Sequence, residues 1–219
     1  DYTDAVYHKG FALAKVGNIN EAILQFDRTI QQDRRNAQAY HQKGLLLARN
    51  GRYEDAIDSY NKSIEIKPTY SQAFFDKGLS LAKLEKFEQA IDAYGQAIVI
   101  NPNYVNAHYN LGLALLQLSR FEDALHAFDR ALEIDPTNTL VLYQRGTVLI
   151  QLHRYAEAAE DLDGVLAQLP QNTGALFNKG IALFHLLRYQ EALVSFDTAL
   201  ELNPSLIDGW IFKGRTLDK

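Results

Sequence analysis

Residues 71–104, SQAFFDKGLSLAKLEKFEQAIDAYGQAIVINPNY, contain one complete structural unit made of two helices. Ala73, Phe74, Gly78, Leu81 and Ala82 recur at helical spacing, and Leu84-Glu85-Lys86 makes a short turn. Phe87, Ala90, Ile91, Tyr94 and Ile98 then follow at i, i+3, i+4, i+7 and i+11, a second helical face. Asn101-Pro102-Asn103 stops that helix, because proline disfavours helix in the residue before it. Each helix has roughly 13 residues, marginal alone in water, so its stability must come from packing on neighbours.

The unit recurs in both directions. All five prolines (Pro68, Pro102, Pro136, Pro170, Pro204) stand 34 residues apart. Gly10, Gly44, Gly78, Gly112, Gly146, Gly180 and Gly214 keep the same step, as do Ala22, Ala56, Ala90, Ala124, Ala158 and Ala192. A fixed period of this size is the signature of a stacked repeat array. Composition agrees: 219 residues, 47% hydrophobic and 22% charged, exclude collagen, low complexity and wholesale disorder. With no Cys, disulfides, thiolate metal sites and a Cys nucleophile are all excluded. The formal charge of −5 argues against non-specific nucleic-acid binding. No apolar run reaches the roughly 18 residues of a membrane span, and no leader opens the chain, which favours a cytoplasmic setting.

Glycine inside a helix costs about 1 kcal/mol relative to alanine, and the chain accepts this at one register throughout. The expected reason is a neighbouring helix backbone passing where a Cβ would sit, with the alanine column as its small counterpart. Large residues flank the approach: Leu13, Leu47, Leu81, Leu115, Leu149, Leu183 and Leu217 on the first helix, and Phe26, Tyr60, Tyr94, Phe128, Leu162 and Phe196 on the second. Asp55, Asp123, Glu157 and Glu191 suit the positive N-terminal end of the second helix.

The glycine, aromatic, alanine and proline offsets resemble those of the tetratricopeptide repeat (TPR) family. The resemblance covers repeats 3–36, 37–70, 71–104, 105–138, 139–172 and 173–206, with 207–219 as the first helix of a seventh. It implies an all-α fold, a right-handed superhelix of stacked antiparallel helix pairs forming one array, with ligands on the concave face lined by the first helices. Departures are Arg34-Arg35 in place of proline, Leu162, Gly164 and Val165 in repeat 5, and Gly95 inside a second helix. They read as drift. The array starts and stops out of phase and lacks Met, which reads as an excerpt of a longer product. Trp210, Ile211 and Phe212 give its last helix an apolar face, either truncated or a contact between copies.

Numbering each repeat from Thr3, Ala37, Ser71, Val105, Thr139, Thr173 and Ile207 exposes the variable columns. Position 5 is an aromatic ladder: Tyr7, His41, Phe75, Tyr109, Tyr143 and Phe177, then Ile211. Position 9, one turn on, reads Phe11, Leu45, Leu79, Leu113, Thr147 and Ile181, where the family often has a polar residue. Position 12 changes from Ala14, Ala48 and Ala82 to Leu116, Ile150 and Phe184. The apolar stripe is either packed against the facing helix or exposed as a groove for an amphipathic or extended segment. Beside it, position 6 reads His8, Gln42, Asp76, Asn110, Gln144 and Asn178, side chains that either grip a peptide backbone or simply face water. Position 7 carries Lys9, Lys43, Lys77, Arg145, Lys179 and Lys213, with Leu111 the exception. Their stems are read as covering the helix seam while the heads reach water.

The carboxylate clamp of co-chaperone TPRs is absent, since no repeat has Lys at position 5 or Asn at position 9. Phosphate-loop, dinucleotide, nucleophile-elbow and zincin motifs are absent as well. Among the histidines only His8 with His41 invites comparison with a metal pair, and Asn61-Lys62-Ser63 is a sequon in mid-helix. The sequence therefore predicts a non-enzymatic scaffold without cofactor or metal that binds a peptide or helix of a protein partner. It predicts no nucleic acid and no membrane insertion. The alternatives are a self-assembling module joined through Trp210, Ile211 and Phe212, or a substrate-selecting domain of a larger enzyme.

Overall fold

The computed structural model describes residues 2–219, and among them the secondary structure is thirteen α-helices with no strand. The chain is all-α. Two units divide it. The first, ending at Leu118, holds α1 (Tyr2–Lys15), α2 (Ile19–Gln32), α3 (Ala37–Arg49), α4 (Tyr53–Ile66), α5 (Ser71–Lys83), α6 (Phe87–Ile100) and α7 (Val105–Gln117). The second, from Ser119, holds α8 (Phe121–Ile134), α9 (Thr139–Gln151), α10 (Tyr155–Gln168), α11 (Thr173–His185), α12 (Tyr189–Leu202) and α13 (Ile207–Leu217). Within each unit every helix packs on the next along the chain, and α3–α5, α5–α7, α9–α11 and α11–α13 also touch. Odd-numbered helices are the first members of the pairs.

The glycine column has a different cause from the one expected. A Cβ on Gly44 would lie 2.5 Å from the Tyr60 ring, and one on Gly78 2.5 Å from Tyr94; on Gly180 it would strike Phe196. The obstacle is the aromatic ring sixteen residues on, not a passing backbone. Where that residue is Leu162, the added atom on Gly146 would stand off at 3.2 Å, and at Gly214 nothing lies within 4 Å. The alanine column behaves as expected, with Ala22, Ala56, Ala90, Ala124, Ala158 and Ala192 fully buried.

Position 15 carries a requirement the sequence conceals. Gly17, Gly51, Glu85, Ser119, His153 and Leu187 all have φ between 56° and 82°. This left-handed residue turns the chain from the first helix of a pair into the second; it suits glycine and costs an L-residue about 1 kcal/mol or more. The missing proline of the first repeat is replaced by a side chain: Asp33 Oδ1 accepts from Arg35 N at 3.0 Å and closes the turn. Gly95 leaves α6 unbroken, and α10 runs its full length through Leu162, Gly164 and Val165. The acidic residues opening the second helices pair with arginines three positions earlier, as in Arg52–Asp55, Arg120–Asp123, Arg154–Glu157 and Arg188–Glu191. The arginine beside each holds Glu157 and Glu191 below the usual carboxylate range.

The cations of position 7 do more than cover a seam. Lys43 pairs with Asp27, Arg145 with Asp129, Lys179 with Asp163 and Lys213 with Asp197, each joining one repeat to the one before. The acid always lies sixteen residues earlier. At the remaining two junctions the acid is lost: Asn61 precedes Lys77, and Gly95 precedes Leu111. Lys77, without a carboxylate partner among the described residues, has its pKa lowered by burial. Asn61→Asp is expected to complete the series and raise stability by roughly 0.5–1 kcal/mol, read as a higher urea midpoint that falls back in 1 M salt. Lys77→Gln should abolish the gain.

Candidate functional site

Much of the aromatic ladder is used internally. His41 and Phe75 are only 3% and 7% exposed. Their rings, like those of Tyr7 and Phe177, meet the aromatic of the following helix: Tyr7–Phe26 at 5.5 Å, His41–Tyr60 and Phe75–Tyr94 at 5.8 Å, Phe177–Phe196 at 6.0 Å. Tyr70 and Tyr104 close the other side, 4.8 Å from His41 and 4.9 Å from Phe75. The expectation of freely exposed anchors is therefore corrected at His41 and Phe75: inter-helix packing takes those rings. Tyr109 and Tyr143 keep part of their surface. The Tyr143 hydroxyl occupies the place of a side chain at Gly174.

Position 9 is where apolar surface remains. Phe11 is exposed, and Leu45, Leu79, Leu113, Thr147 and Ile181 are half-buried. Position 6 does not form a uniform ladder. His8 is exposed, Gln42 and Gln144 are half-buried, Asn110 turns back to donate to Asn106 O at 2.8 Å, and Asn178 donates to Thr147 Oγ1 at 3.3 Å. Asp76 is buried, a correction to its expected surface role. His8 and His41 do not form a metal pair, since His41 is buried against Asp76, and no group of three metal-ligating residues occurs among the described residues.

Asp76 anchors a polar chain within the first unit. His41 Nε2 donates to Asp76 Oδ2 at 2.7 Å, and Gln72 Nε2 donates to the same oxygen at 3.2 Å. Tyr104 Oη donates to Gln72 Oε1 at 2.6 Å, and Tyr70 Oη lies 3.0 Å from His41 Nδ1. Burial pushes the Tyr104 phenol up to about 12, with the Asp76 charge adding to it. Burial and Asp76 likewise raise Tyr60 and Tyr94, so all three stay protonated donors at neutral pH. The pairing gives the buried Asp76 carboxylate its hydrogen-bond donors.

Two hollows open beside this chain, and their linings correspond across one period. The first, about 240 Å³, includes Leu45, Ala48, Arg49, Tyr53, Tyr60 and Asp76. The second, about 420 Å³, presents Leu79, Ala82, Lys83, Phe87, Tyr94 and Asn110 at the matching places. Leu79 and Lys83 belong to both and form the ridge between them. The small Ala48 and Ala82 at position 12 leave this space. Sequence reasoning found Leu79 and Leu113 but missed Arg49 and Lys83, although Lys15, Arg49 and Lys83 recur at position 13. It also missed the second-helix residues Tyr53, Tyr60 and Phe87.

In the second unit α13 leaves Trp210 and Ile211 exposed, whereas Phe212 packs 5.9 Å from Phe177 and from Phe196, a correction to its expected place on an open face. Trp210 Nε1 donates to Pro204 O at 3.0 Å, as His108 does to Pro102 O at the same register.

Comparison with family models places these columns. A tetratricopeptide repeat model matches residues 75–139 and 143–207, more than half of the chain. The chain belongs to the tetratricopeptide repeat family. A model of anaphase-promoting complex, cyclosome, subunit 3 also matches residues 15–97. Among solved structures, the TPR fold is shared with YrrB, described as a TPR protein with an unusual peptide-binding site (24% identity, TM-score 0.80, 86% of this chain and 97% of that one). It is shared with pilF of Pseudomonas aeruginosa (18% identity, TM-score 0.79, 97% of each chain). MamA from Desulfovibrio magneticus RS-1 has it too (21% identity, TM-score 0.72, 78% and 97% of the two chains). Comparison with curated proteins returns no significant match. The TPR fold is one that serves protein–protein interaction, and TPR proteins are typically non-enzymatic scaffolds. No described helix is long and apolar enough to cross a membrane.

Proposed function

We propose that this TPR chain is a binding module that takes an extended segment or helix of a protein partner along the odd-numbered helices of its first unit. The reading is carried by Leu45, Leu79 and Leu113, which stand half-exposed along two hollows of matching register. A row of partly exposed leucines at one repeat spacing offers apolar area to a segment lying across several helices. Preformed helices present it, so little ordering entropy is lost on binding. Tyr109 and Asn110 extend the same surface. In the second unit Tyr143, Gln144, Phe177 and Asn178 occupy the matching positions, but Ile150 and Phe184 fill the space that alanine leaves open in the first.

The test replaces Leu79 and Leu113 together with Asp and measures binding to an array of random nonapeptides. The expected result is at least a tenfold loss across bound sequences, because a carboxylate would stand where apolar area is buried. Both side chains are half-exposed, so the helical circular dichroism should be retained. Undiminished binding by a folded double variant would overturn the proposal.

A further inference from the structure

The first hollow contains a group that the fold leaves unused. Tyr60 is fully buried, and its hydroxyl has no hydrogen-bond partner among the described residues. Ser80 stands beside it and lowers its pKa against the larger upward push of burial and Asp76. A buried hydroxyl without a partner costs roughly 1–3 kcal/mol, a penalty that phenylalanine would avoid. The chain itself has Phe26, Phe128 and Phe196 at this register. Nothing in the packing demands the oxygen at Tyr60.

Its surroundings say what would use it. Tyr60 and Asp76 both line the hollow, with Leu45 and Leu79 as apolar walls and Arg49 and Lys83 as the cationic groups. The phenol supplies a donor and the carboxylate an acceptor, already held by His41 and Gln72. A carboxylate ligand would satisfy the phenol but meet Asp76 as a like charge. An ammonium would satisfy Asp76 but meet Arg49 and Lys83. A primary amide satisfies both, its oxygen accepting from Tyr60 and its NH₂ donating to Asp76. The two cations then favour acidic residues flanking the amide in the bound segment.

We propose that the hollow between Tyr60 and Asp76 is a specificity subsite for a glutamine or asparagine side chain within an acidic partner segment. The subsite rests on the groove reading above. The second hollow is its internal control. There Asn110 replaces Asp76 and Ala114 replaces Ser80, so the amide Asn110 stands where the first hollow has its buried carboxylate, and the carboxylate lining this hollow is the exposed Glu85.

Acetylated nonapeptides with glutamate flanks and a central Gln, Asn, Glu, Lys or Leu serve as the probe, measured by fluorescence polarisation. Gln- or Asn-centred peptides are expected to bind about tenfold more tightly than the Leu-centred peptide, the value of one well-made buried hydrogen-bond set. Tyr60→Phe should erase that preference, leave the Leu-centred peptide unchanged, and keep or raise Tm. Tyr94→Phe should preserve the preference. A wild-type chain without amide preference overturns the subsite, as does a preference that survives Tyr60→Phe. A Glu-centred preference that Tyr60→Phe removes also overturns the amide assignment. In each case the groove stands if the Leu79→Asp/Leu113→Asp variant loses all the peptides. If that variant binds as the wild type does, the groove reading fails and the subsite with it.

Discussion

Gly78→Ala is expected to destabilise the first unit by about 1 kcal/mol, although alanine is the better helix former. Propensity alone would favour the change by about 1 kcal/mol. Against that, the new Cβ would lie 2.5 Å from Tyr94 Cε1 and 2.7 Å from Cδ1. Tyr94 is buried and has Phe75 5.8 Å away, so the ring cannot yield cheaply. Overpacking of this kind costs typically 1–3 kcal/mol and must also cancel the propensity gain. The same substitution elsewhere in the column makes the argument quantitative. Gly146→Ala meets Leu162 at 3.2 Å, a contact relieved by a shift of a few tenths of an ångström, and should fall near neutral. Gly214→Ala meets nothing within 4 Å and should stabilise by several tenths of a kcal/mol. Chemical unfolding followed by far-ultraviolet circular dichroism reads all three. Gly78→Ala/Tyr94→Leu should recover part of the loss, as a double-mutant coupling between the two positions. Equal effects at Gly78, Gly146 and Gly214 would show that backbone propensity, not the ring, governs the column.

That graded behaviour marks how far the sequence could be read. The 34-residue step places every described helix, because proline, glycine and alanine each have one local consequence that survives any context. The step cannot say which atom confronts Gly78, since the sixteen-residue separation from Tyr94 becomes contact only when two helices fold together. Exposure was harder still. Positions 5 and 9 lie one turn apart on the same apolar face, so periodicity treats them alike. In the structure Phe75 is drawn under Tyr104, whereas Leu79 reaches a hollow left open by Ala82. Ala82 lies on the same helix, but Tyr104 comes from the turn before α7, a contact across the next helix that no single-helix pattern contains. Left-handed position 15 is concealed for another reason: Glu85, Ser119, His153 and Leu187 accept the strain without advertising it, and only Gly17 and Gly51 give a signal. The ion pairs across repeats were present in the sequence throughout. Asp27 and Lys43, Asp163 and Lys179, and the loss of the acid at Gly95 where Leu111 replaces the base, emerge only when two columns are compared.

Arg145 shows the greatest energetic consequence of those pairs. Unlike the lysines of its column it serves two carboxylates: Nη1 donates to Asp129 at 2.8 Å, while Nε and Nη2 donate to the two oxygens of Asp161 at 2.7 and 2.5 Å. These hydrogen bonds raise the guanidinium pKa, so the charge persists at every pH the fold survives. Asp129 is partly exposed, but Asp161 is only 4% exposed and, among the described residues, pairs with this cation alone. Arg145→Met should therefore cost about 3 kcal/mol, chiefly from an aspartate left buried without its counter-charge rather than from a lost attraction. Lysine, with one ammonium in place of a planar fork, should recover only part of that cost. The decisive variant removes both charges. Position 23, held here by Asp161, is elsewhere Gln25, Ser59, Ala93, Ala127 and Ser195, and position 7 is apolar at Leu111. Arg145→Leu/Asp161→Ala thus reproduces the Leu111 and Ala127 pairing the chain already tolerates, with the partly exposed Asp129 left to water, and its stability should return to within about 1 kcal/mol of the parent, since apolar replacement of a buried pair is often close to neutral. If the double variant were as unstable as Arg145→Met, the ion pair itself would be the source of stability, and desolvation of Asp161 would not explain the loss.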